Sequence, residues 1–181
     1  AARRLGRALR RGFTTVRDVA GGDPGISAAI AEGLLQSPRY LYTGPGLSQT
    51  GGHGDPRPAE EPGGSFCGGI SVEVVDGVDA LRVAVRDRFR RGAHAIKIMA
   101  SGGVISPTDP IRRPQYSAEE IRVVSDEATR RGSYVAAHSY SPWKSSTIMK
   151  PPRLRYSRRR AACWPCGCHA PRPGCWRMIH G

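Results

Sequence analysis

"HAIKIMASGGV", residues 94–104, sets one lysine inside an apolar run and follows it with two adjacent glycines. Alternation along a strand turns Ile96 and Ile98 to one face and Lys97 and Met99 to the other, with Lys97 near the strand's C-terminal end. An unpaired ammonium among apolar neighbours is costly. Three chemistries answer that cost. The lysine pairs with a buried carboxylate or reaches the rim; its desolvated amine forms a Schiff base; or the amine is carbamylated and the resulting anion ligates a metal.

Outward from this run, the chain alternates strand-like and helix-like segments. "YVAAHS" (134–139) predicts the following strand, with His138 at its C-terminal end, where an imidazole suits zinc. Between the two strands, "SAEEIRVVSDEATRRG" (117–132) predicts a helix opened by a Ser117/Glu120 capping box. Upstream, "DALRVAVRDRFRRG" (79–92) predicts a helix that carries Leu81, Val85 and Phe89 on one face and stops at Gly92. "GFTTVRDVAGG" (12–22) and "RYLYTGPG" (39–46) predict two earlier strands, joined by a helix over 27–37 with Ile30, Leu34 and Leu35 at helical spacing. Arg17 and Asp18 read as a structural ion pair or loop anchor.

Four strands alternating with helices predict an α/β fold with a parallel sheet. The long loops, 44–69 and 101–116, both follow strands, on the side where an α/β barrel keeps its active site. The expected architecture is therefore a partial (β/α)8 TIM barrel of about four βα units, residues 1–141, followed by a disordered tail, 142–181.

Charge supports that division. The net charge of +13 is uneven: residues 1–141 carry 19 Lys/Arg against 15 Asp/Glu, whereas 142–181 hold nine basic residues, no acid, four of five cysteines and all three tryptophans. A GC-rich gene read in a shifted frame produces such a composition. The rival reading takes "CWPCGCH" (163–169) as a zinc site and "RLRYSRRR" (153–160) as a phosphate-binding segment, making the protein a zinc- or nucleic-acid-binding one. No stretch reaches the ~18 apolar residues of a membrane span, and Cys67 is the body's single cysteine. These features predict a cytoplasmic protein with no nucleic-acid or membrane partner.

Five segments, "GFTTVRDVAGG", "GPGLSQTGGHGD", "GAHAIKIMASGGVISP", "QYSAEEI" and "GSYVAAHSY", fall in an order that resembles the metal-dependent amidohydrolase superfamily over about residues 8–141. The resemblance is to its imidazolonepropionase-like and Xaa-Pro dipeptidase (prolidase-like) branch. It implies a barrel with one or two divalent metals, usually zinc, that hydrolyses an amide bond in a dipeptide, acyl amino acid or cyclic amide. It implies that Lys97 is carboxylated and bridges metal, that His138 is a metal ligand, and that His53 and Tyr140 contact substrate. Gly102 and Gly103 are expected to let the backbone turn tightly beside the site. The family's His-x-His pair, sixth-strand histidine and eighth-strand aspartate have no recognisable counterparts, His180 included. The chain by itself is therefore expected to be an inactive fragment, oligomeric if its open sheet edges pair. A Schiff-base barrel lyase using Lys97 is the other enzymatic reading.

Overall fold

The computed structural model describes residues 1–58, 60, 72–104 and 109–140. In order these form α1 (Ala2–Arg10), β1 (Thr15–Asp18), α2 (Pro24–Ala31), β2 (Arg39–Tyr42), β3 (Gly46–Ser48), β4 (Val72–Val74), α3 (Val78–Arg90), β5 (Ile96–Met99), α4 (Ala118–Arg130) and β6 (Val135–His138). Every pairing between these strands is parallel, β1 with β2 and then β4-β3-β5-β6. The expected tail, 142–181, and His180 within it lie outside the described residues, as does Cys67.

The described strands number six rather than the expected four. β2 and β3 are halves of one extended segment: Gly44 adopts φ +68° and Pro45 has no N–H for a ladder, so pairing lapses there. Continuity survives through the backbone, because His94 N donates to Tyr42 O at 2.8 Å and Thr43 N to Asp18 O at 3.1 Å. The run β1, β2/β3, β5, β6 is thus the anticipated arc, and β4 is an additional strand against β3. Strands of three residues are too short to show a period of two.

Helix boundaries follow their caps. Asp23 accepts from Ile26 N at 3.0 Å and Pro24 occupies the first turn, so α2 starts earlier than the apolar spacing suggested. It also ends earlier: Gly33 takes φ +74° and Leu34, expected on the packed face, is 72% exposed. The capping box of α4 is present, with Glu120 N donating to Ser117 Oγ at 3.2 Å and Ser117 N to Glu120 Oε2 at 2.6 Å. α1 was unforeseen. It buries Leu5 against Tyr40, Tyr42 and Ala93.

The main core settles which face of β5 is which. Ile96 and Ile98, both buried, pack with Leu47, with Leu81 and Val85 of α3, and with Ile121, Val124 and Ala128 of α4. Lys97 is therefore left on the opposite face. Ile98→Ala removes methylenes from this core, and the cavity is expected to cost about 2–5 kcal/mol, read as a lower urea midpoint with an unchanged slope.

Arg17 and Asp18 do not form an ion pair. Asp18 Oδ2 accepts from Tyr40 OH at 3.0 Å, while the Arg17 guanidinium lies 5.2 Å over the Tyr134 ring. Neighbours on a strand face opposite ways, and the Asp18 carboxylate ties β1 to β2 through Tyr40. Among the described residues no helix is long and apolar enough to cross a membrane.

Candidate active site

Strand register places Lys97 and His138 on one face. β5 and β6 pair Lys97 with Ala136 and Met99 with His138, so the two side chains project from adjacent strands, two positions apart, near their C-terminal ends. Opposite them, Gly46 makes room: a Cβ there would lie 3.2 Å from Lys97 Cγ and 3.4 Å from Met99 Cε. Burial pushes the Lys97 ammonium below the ordinary lysine range. No carboxylate forms an ion pair with it among the described residues.

His138 has a related character. Burial first, and then the nearby His53 and Lys97, hold its imidazole below the usual histidine range, against smaller opposing effects of the Gly102 backbone and Asp109. The neutral ring is the form that ligates metal. Its Nε2 is buried without a hydrogen-bond partner. An orphaned buried acceptor is rare and suits a metal donor.

His53 comes from the loop after β3 and stacks on His138, with ring centroids 4.3 Å apart and planes 8° from parallel. Tyr140 meets the same ring edge-on at 5.0 Å, and its backbone N donates to Ser101 Oγ at 2.8 Å. Gly103 explains how His53 fits, since a Cβ there would overlap the imidazole. At Gly102 a Cβ would overlap the Asp109 and Pro110 carbonyls. Neither glycine takes a positive φ. Their role is close approach rather than the tight turn expected of them.

The structure thus brings Lys97, His138, His53 and Tyr140 together at the C-terminal ends of β5 and β6. Two residues that sequence reasoning passed over join them. Asp109 Oδ2 lies 3.0 Å from His53 Nδ1, and Gln115 Oε1 accepts from His53 N at 3.0 Å. Both belong to the 101–116 loop, and the signal available was two polar residues in a loop on the presumed active face. Among the described residues no cluster of three or more His, Cys, Asp and Glu could hold a metal ion. Lys97 and His138 would be two donors of an incomplete set.

The profile of the amidohydrolase family matches residues 1–150. The ochratoxinase of Aspergillus niger is 39% identical over 148 residues, covering 72% of this chain and 30% of that protein. A prolidase solved in complex with N-methylphosphonate-L-proline is 49% identical with a TM-score of 0.72, covering 77% of this chain and 35% of that one. A Xaa-Pro dipeptidase solved with methionine in its active site is 33% identical with a TM-score of 0.64, covering 76% and 34%. The chain spans about a third of the length of these relatives.

Proposed function

Because this chain belongs to the amidohydrolase family, within its prolidase-like branch, we propose that residues 1–141 supply part of a metal-dependent site that hydrolyses a C–N amide bond. The observation that carries this reading is the buried, unpartnered Nε2 of His138 beside a desolvated Lys97 on the adjacent strand. The substrate is a small molecule: a dipeptide, an acyl amino acid or a cyclic amide.

Lys97 and His138 would hold one or two divalent ions, zinc or another. Burial favours the neutral Lys97 amine, the form that adds CO2 to give a carbamate and a proton, and the carbamate oxygens then replace an ammonium that has no carboxylate partner among the described residues. When bound, the metal supplies Lewis-acid polarisation of the carbonyl and a lowered pKa for water. Tyr140 presents a phenol to a substrate carboxylate or carbonyl oxygen, His53 presents an imidazole nitrogen to a substrate N–H, and the stacked His53 ring shields His138 from solvent. We assign no chemistry to 142–181 and place the protein in the cytoplasm. A catalytic zinc typically takes three protein ligands, and the described residues offer two donors. The 181-residue chain by itself is accordingly expected to show no chelator-sensitive amide turnover.

Turnover is therefore measured in a barrel completed to family length around these residues. Xaa-Pro dipeptides and N-acyl amino acids should be hydrolysed, and a chelator should stop the reaction. His53→Ala and Tyr140→Phe should each lower kcat/KM by about 10–100-fold, an expectation scaled from lost outer-shell contacts, with metal content unchanged. Unaltered kinetics in both variants would remove them from substrate recognition. Borohydride trapping of a carbonyl substrate on Lys97, without metal dependence, would replace the hydrolase reading with the Schiff-base one.

A further inference from the structure

We propose that Asp109 is a positioning residue that locks His53 in its Nδ1–H tautomer and leaves Nε2 as the one ring nitrogen open to a ligand. The hydrogen bonds around Asp109 carry the inference. Its Oδ2 receives Gly103 N at 3.2 Å and Gln115 Nε2 at 3.3 Å, besides lying 3.0 Å from His53 Nδ1. The backbone N–H is a donor without ambiguity. The Gln115 amide is oriented as well, because its Oε1 accepts from His53 N, which turns Nε2 toward Asp109. Oδ2 is thus an acceptor.

An acceptor carboxylate oxygen requires a hydrogen on the imidazole nitrogen that faces it. Histidine in water favours the other tautomer, so the carboxylate reverses an intrinsic preference. The Asp109 side chain is 2% exposed, where water competes little for the bond. Gly103 completes the clamp: it donates to Asp109 and, lacking a Cβ, lets the His53 ring lie against its backbone. The other nitrogen, Nε2, makes no hydrogen bond among the described residues. Without Asp109 the two nitrogens would exchange roles and the ring could flip, so a substrate would meet a mixture of acceptor and donor. The tautomer assignment stands on geometry alone; its consequence for recognition rests on the proposed hydrolase function.

The test is nitrogen-15 NMR of the histidine-labelled 181-residue chain at a pH where the rings are neutral, with His53 assigned through His53→Gln. Wild type should show hydrogen on Nδ1 and a bare Nε2. Asp109→Ala should move His53 to the Nε2–H form or to an averaged mixture, whereas Asp109→Asn, which keeps an acceptor, should hold the Nδ1–H form. A wild-type Nε2–H ring, or a tautomer indifferent to Asp109→Ala in a chain with native circular dichroism, overturns the proposal. Should Asp109→Ala unfold, the wild-type and Asp109→Asn spectra decide alone. In the completed barrel, Asp109→Ala should raise KM about tenfold with a smaller change in kcat, in the range of outer-shell effects. Unchanged KM where His53→Ala raises it overturns the positioning role. A completed barrel with no chelator-sensitive turnover would instead defeat the hydrolase reading and leave the tautomer result intact.

Discussion

Lys97→Ala, in a barrel completed to family length, should lose its bound metal and at least about three decades of kcat/KM, which is about 4 kcal/mol of transition-state stabilisation. The fold should tolerate the change. Lys97 lies on the face of β5 opposite Ile96 and Ile98, which alone of the two sets enter the core with α3 and α4. Its stem packs beside Gly46 and Met99, and no ion pair among the described residues is broken. Bicarbonate with a short-chain acid should partly restore metal and activity together by placing a carboxylate where a Lys97 carbamate would lie. Full zinc occupancy in the unrescued variant would exclude Lys97 as a bridging ligand.

His138→Ala should produce a comparable loss of metal and turnover with little loss of stability in the metal-free protein. Two opposing terms lead to that expectation. Removing the ring forfeits its stacking on His53 and its edge contact with Tyr140, but it also removes a buried nitrogen that has no partner, whose desolvation costs about 1–3 kcal/mol. The net change should be within about 1 kcal/mol, a shift of roughly 2–4 °C in Tm for a chain of this size. Stoichiometric zinc retained by the variant would contradict the assignment. A much larger fall in metal-free Tm would mean that the imidazole is chiefly a structural group. With metal present the two proteins should separate sharply, because an ion bound only by the folded state raises apparent stability by mass action.

Local periodicity was enough to read much of this molecule. The spacing of Leu81 and Val85, the Ser117/Glu120 capping box and the alternation through 96–99 are short-range patterns. Each survives folding unchanged, since it depends on backbone geometry a few residues long. That alternation already separated Lys97 from Ile96 and Ile98, and the strand-end position of His138 followed from the next βα unit. The family was legible for a similar reason, its motifs being contiguous runs.

What only the tertiary structure decided lies between loops. His53, on the loop after β3, meets the His138 ring at the end of β6. No period in the sequence marks such a contact. The requirement for Gly103 comes from an imidazole fifty positions earlier in the chain, and the Asp109–Gln115 clamp exists only once the 101–116 loop folds back on His53. Aperiodic polar residues carry no propensity signal that names their partners, so their roles were set by long-range packing. Helix ends show the same contest on a smaller scale: apolar spacing favoured Leu34 as core, but the left-handed Gly33 closed the helix first and left that side chain in water.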